Sequence, residues 1–153
     1  MPLHEGEPGG ESIVDFELAG SVGRAQEILS VWRGEGVIGE AKAIQLFDLV
    51  YPLIYAGALA GGCIAAVGAW SRAGRAGPAS AGVSFAWVAI AAAAFDYLEN
   101  IGLAVSLWGE PAAPWPAVAY GAAVLKFGAI VLALVCGLSG IVAAISARRR
   151  AKS

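Results

Sequence analysis

The sequence predicts an all-α integral membrane protein, with three transmembrane helices preceded by an amphipathic helix and room for a four-helix arrangement. Three observations carry this reading. Of the 153 residues 58% are hydrophobic and only 14% are charged, where an ordinary soluble domain is about 25% charged. The charges are also segregated, since Leu49 to Trp70 is a run of 22 residues without one and Phe127 to Ala147 a run of 21. Some 20 apolar residues suffice to cross a bilayer. Finally, glycine and proline cluster between the apolar stretches, at Ser71 to Gly82 and at Gly109 to Pro116, as breakers between helices do.

Residues 1–11 are polar, hold Pro2, Pro8, Gly9 and Gly10, and read as a flexible leader. They lack the basic start and apolar core of a signal peptide, and the lone His4 belongs to this solvated stretch. Residues 12–43 read as an amphipathic helical segment. Ser12 with Asp15 three residues on makes a capping-box-like start, and Leu18, Val22, Ala25, Leu29 and Trp32 recur at steps of three and four, with Ile28 beside them. That spacing predicts one helix ending near Gly34 or Gly36, lying on the membrane surface or against the bundle.

The membrane domain covers 44–147, with spans at about 44–70, 83–108 and 117–147. Pro52 lies one turn inside the first span, removing a backbone donor there; such breaks persist when a polar side chain satisfies the freed carbonyl. The third span, of about 31 residues at 1.5 Å each, reaches roughly 46 Å and is expected to tilt or to project beyond the hydrocarbon. A basic tail closes the chain at 148–153. Arg72 and Arg75 after the first span and Arg148 to Lys152 after the third fall on one side of a three-span topology, while residues 1–45 hold eight acidic against three basic residues. The positive-inside rule then places the chain in the cell membrane with its N-terminus outside and its C-terminus in the cytoplasm. Trp32, Trp70, Trp87, Trp108 and Trp115 mostly fall near the expected interfaces, where indoles concentrate.

Small residues at four-residue steps, Gly57 with Gly61 and Ala129, Ala133 and Gly137, favour close helix packing within one chain or between copies. Membrane lipids and a second copy of the chain are therefore the expected macromolecular surroundings. A net charge of −2 with a single basic cluster at the tail excludes a nucleic-acid footprint. Cys63 and Cys136 lie inside apolar runs and read as small buried hydrophobes rather than a disulfide framework. No histidine–cysteine cluster, phosphate loop or nucleophile elbow is present, so neither a metal nor another cofactor is implied.

Four charges fall inside the spans, Asp48, Asp96, Glu99 and Lys126. An ionisable group within the membrane is costly and marks a functional position by default. Glu99 lies nine residues from the end of the second span and Lys126 nine residues into the third, so the two are expected at one depth. Asp96, Glu99 and Asn100 share a helical face by their spacing of three and four, as do Asp48, Tyr51 and Tyr55. Two acids one turn apart and one lysine cannot all be neutralised in pairs, so one carboxyl is expected to hold a proton. The resulting candidate site has Asp96 and Glu99 as catalytic groups and Asp48, Tyr51, Tyr55, Asn100 and Lys126 as ligand-binding groups. Its expected ligand is a small, largely apolar molecule. An enzyme would use one of the carboxyls as general acid, with the tyrosines orienting the substrate. A transporter would need several chains, because three helices without an internal repeat offer little alternating-access machinery. An assembly subunit would use the same charges only to fix helix packing.

Overall fold

The computed structural model describes residues 11–74 and 76–150, and among them there are six helices and no strand. The expected leader, as far as residue 10, and the end of the basic tail lie outside the described residues. The helices are α1 (Ile13–Glu17), α2 (Val22–Glu35), α3 (Ile38–Phe47), α4 (Tyr51–Arg72), α5 (Ala76–Trp108) and α6 (Trp115–Arg150). Three stretches, Ile38–Arg72, Ala81–Trp108 and Trp115–Arg149, are long and apolar enough to cross a membrane. This architecture of three long apolar helices after shorter ones is compatible with an integral membrane protein. The chain forms two compact units, one reaching to Pro52 and including Phe95–Leu125, the other made of Leu53–Ala94 and the chain from Lys126.

In the first unit the N-terminal segment forms two helices rather than the single one expected. Ser12 caps α1 through a complete capping box, its hydroxyl accepting from the Asp15 amide at 3.2 Å while the Asp15 carboxylate accepts from the Ser12 amide at 2.8 Å. After Leu18 the chain turns through Gly20 at φ +67°, and the Tyr120 ring stands 3.5 Å from where a Cβ would be. The backbone conformation is what favours glycine there, since a Cβ would meet the ring at an ordinary contact distance. Ser21 then caps α2, which ends at Gly36 in the left-handed conformation, a common helix stop. Because of the Gly20 turn Leu18 leaves the stripe and is exposed, and Phe16 takes its place in the core.

The buried face of α2, Ala25, Ile28, Leu29 and Trp32, packs with Phe16 against Leu103 and Leu107 of α5 and Ala119 of α6. Of the two docking surfaces open to this segment, protein is the one it uses. Trp32 is fully enclosed, meets the Phe16 ring in a tilted arrangement with 5.1 Å between centroids, and donates its indole N–H to the Glu11 carbonyl at 2.9 Å. Val37, Ile38 and Ala41 join the same core, which draws residues ahead of the expected span into α3. Lys42 adds a cation–π contact 5.5 Å from the Trp108 ring centroid.

In the second unit, Cys63 and Ala66 of α4, Ala86 and Ala89 of α5, and Ala133 and Cys136 of α6 form the core. Both cysteines are reduced and buried, and the Cys63 thiol donates to the Ala133 carbonyl at 3.4 Å. A Cβ added at Gly82 would stand 3.0 Å from the Cys63 carbonyl oxygen, so this small residue is what lets α4 and α5 approach. Gly140 lies closer still against Ala66 of α4, and the Trp70 indole donates to the Ser139 hydroxyl at 3.3 Å. Small residues thus serve contacts within the chain. The expected loop at 71–82 is much shorter, because α4 continues to Arg72 and α5 begins at Ala76. Pro78 falls in the first turn of α5, where its missing N–H costs no helical bond.

Candidate functional site: a polar cluster at a helix break

Within the first unit the helical path of the first span is interrupted between α3 and α4. Asp48 caps the end of α3, and the Leu49 and Val50 amides turn back to the Leu46 and Phe47 carbonyls at 3.3 and 3.1 Å, the tighter i to i+3 pattern of a closing turn. Pro52 accounts for the interruption. It has no N–H to return to the Asp48 carbonyl, and it disfavours helical geometry at the residue before it. The break leaves the carbonyl of half-buried Asp48 and that of exposed Leu49 without their helical donors, and an unmet acceptor in apolar surroundings is costly.

Helix α5 supplies the missing donors. The Asn100 side-chain amide donates to the Asp48 carbonyl at 3.3 Å, and the Tyr97 hydroxyl donates to the Leu49 carbonyl at 2.9 Å. Gln45, on the last turn of α3, donates to the Asn100 side-chain oxygen at 2.6 Å. The second N–H of the Asn100 amide reaches the Asp96 carboxylate at 3.4 Å. Asn100 therefore uses both its donors and its acceptor, and it ties α3, the break and the acidic face of α5 into one network. Such fully engaged networks fix a unique helix arrangement.

The carboxyl groups lie on the same face. Asp96 is 2% exposed and Glu99 is not exposed at all, with Asn100 at 2% and Gln45 at 4%. The grouping of Asp96, Glu99 and Asn100 expected from helical spacing is thus present and enclosed. Asp48 enters through its main-chain carbonyl while its side chain is half-buried, and Tyr51 is exposed. Tyr55 and Lys126 belong to the second unit, where Tyr55 is half-buried and Lys126 is buried with its ammonium 4.7 Å from the Phe127 ring centroid.

Two members were missed from the sequence, Gln45 and Tyr97. Gln45 stands one turn before Asp48 and had a signal in that spacing. Tyr97 is adjacent to Asp96 but about 100° around the helix from it, so face arithmetic excluded it. It joins because the break turns a carbonyl toward its hydroxyl.

Chemically, the cluster places two enclosed carboxyl groups beside the Asn100 amide, whose donors and acceptor are all engaged. Carboxyls so placed accept hydrogen bonds from a donor group or hold a proton. Searches of protein-family models, curated proteins and solved structures return no match to this chain.

Proposed function

We propose that this chain is an integral membrane protein whose Asp96–Asn100 face, set against the break at residues 48–50, binds a small, largely apolar molecule through an amine or hydroxyl group. The observation that carries this reading is the burial of Asp96 and Glu99 one turn apart at 2% and 0% exposure. On insertion scales each ionisable group at the centre of a membrane helix costs about 2.5–3.5 kcal/mol. Capping the break uses the side chains of Asn100, Tyr97 and Gln45, and two acids one turn apart go beyond what that cap requires. Broken membrane helices with exposed main-chain groups are a recurrent way to build binding sites. In this reading Asp96 and Glu99 receive the ligand's donor group, Asn100 orients Asp96, and Asp48 and Tyr51 border the entrance. The basic residues at the C-terminal ends of α4 and α6 support a cell-membrane location with the N-terminal helices outside and the tail in the cytoplasm.

A second reading is favoured by the Asn100 and Tyr97 bonds to the broken helix: the polar face is interhelical glue and the chain an assembly subunit. Thermal unfolding of the detergent-solubilised protein against a panel of long-chain amines and alcohols separates the two. A ligand at 100 times its Kd stabilises by about 2.7 kcal/mol, several degrees in Tm for a chain of this size. Binding predicts such a rise for at least one amine or alcohol, abolished in D96N and E99Q. A panel that leaves Tm unchanged would favour the glue.

A further inference from the structure

The second unit carries a groove of about 500 Å³ between α4 and α6. Its lining is almost wholly apolar and mostly small, running along α4 from Ala58 past Ala65 to Arg72, and along α6 past Leu138 and Ile141 to Ala144. Among the described residues that line it, Arg72 is the one that is charged. Fourteen residues of helix separate Ala58 from Arg72, about 21 Å at 1.5 Å per residue, more than the roughly 15 Å of hydrocarbon in one leaflet. The groove thus has the length for one extended acyl chain and a guanidinium at one end.

Charge sets the identity of the occupant. All 12 acidic residues of the sequence fall in 1–52 and 95–125, so 53–94 and 126–153 hold seven basic residues and no acidic one. Arg72 is exposed and makes no ion pair among the described residues. Its guanidinium folds back along α4, with Nη1 3.3 Å from where a Cβ on Gly68 would lie. Arg148 and Arg149, one turn beyond Ala144, are exposed as well. A second copy docking here about an axis along the membrane normal would set Arg72 against Arg72, with no acid in the unit to separate them.

We propose that this groove holds one anionic phospholipid, its acyl chain along the small residues of α4 and α6 and its phosphate on Arg72, in the leaflet on the Arg72 side. This site is separate from the acidic cluster and rests only on the membrane-spanning reading. Arginine suits the position because its planar fork bonds two phosphate oxygens at once.

Native mass spectrometry of the full chain, titrated with dioleoyl phosphatidylglycerol and separately with dioleoyl phosphatidylcholine, tests the proposal. Phosphatidylglycerol is expected to bind with one-to-one stoichiometry and in preference to phosphatidylcholine. R72Q is expected to weaken it tenfold or more, beyond the about fivefold that one basic side chain contributes at an anionic surface. A65F and A58L, which fill the groove from exposed positions, are each expected to displace the lipid with every charge in place, so misfolding of one leaves the other to report. R72K is expected to weaken it less than R72Q, keeping the charge but not the bidentate fork, and D96N and E99Q are expected to retain it. Equal binding of the two lipids, R72Q no weaker than R148Q/R149Q, retention in both groove-filling variants, or a lipid-free dimer lost in A65F would overturn the proposal.

Discussion

Replacing Asn100 by leucine keeps an apolar side chain of similar size on α5 and removes three hydrogen bonds at once. These are the bond from Gln45 at 2.6 Å, the bond to the Asp48 carbonyl at 3.3 Å and the bond to Asp96 at 3.4 Å. In membrane proteins such bonds contribute about 0.6 kcal/mol on average and at most about 1.7. Taking the short Gln45 bond near the upper figure and the two longer ones near the mean gives a loss of about 3 kcal/mol for N100L. For a chain of this length that lowers Tm by roughly 6–12 °C. The assay is thermal unfolding in matched detergent, with Q45L and Q45L/N100L completing a double-mutant cycle. Because Gln45 loses its acceptor in N100L and Asn100 its donor in Q45L, the two losses are expected to be less than additive by about 1 kcal/mol or more. A loss below about 0.5 kcal/mol, the usual range for an uninvolved surface position, would refute the network. Strict additivity would refute the Gln45–Asn100 bond.

W32A removes the largest fully buried side chain of the N-terminal segment; it is expected to cost about 3–5 kcal/mol and to raise amide exchange throughout Val22–Glu35. Outside the membrane helices, the Ser12 hydroxyl and amide hold the Asp15 carboxyl below its ordinary value of 3.8. The cap is therefore complete above the ordinary value and is lost as pH falls through the lowered one, so protection of the α1 amides by NMR is expected to hold down to about pH 4 and to decline below it, with D15N abolishing the dependence. With Cys63 and Cys136 replaced by alanine, an impermeant thiol reagent on intact cells is expected to label S12C but not S153C; the reverse pattern would invert the orientation.

The long apolar helices were legible because charge-free runs and breaker clusters respond to one dominant force, the cost of polar groups in hydrocarbon. Helix ends were less so. Gly20 looks on sequence like one glycine among many, and only its φ of +67° beside the Tyr120 ring shows why one amphipathic stripe becomes two helices. Likewise the 71–82 stretch reads as a loop from its glycines and arginines, yet most of it continues α4 or opens α5. The acidic face was legible in part. Helical spacing correctly grouped Asp96, Glu99 and Asn100 because all three lie on one uninterrupted helix. It could not find Tyr97, whose role depends on the Leu49 carbonyl freed by the break between α3 and α4, and it included Tyr51, which is exposed at the start of α4.

The claim that the two enclosed carboxyls form a binding site rather than sealed packing is tested most directly with dicyclohexylcarbodiimide, a small apolar reagent that adds covalently to carboxyl groups within membranes. Membranes holding the intact chain are treated, and the adducts are located by peptide mass spectrometry. The account predicts an adduct on Asp96 or Glu99, lost in the corresponding D96N or E99Q variant and suppressed by an amine or alcohol that raises Tm. Absence of any adduct at both positions, with the exposed carboxyls of the N-terminal helices modified normally, would contradict it.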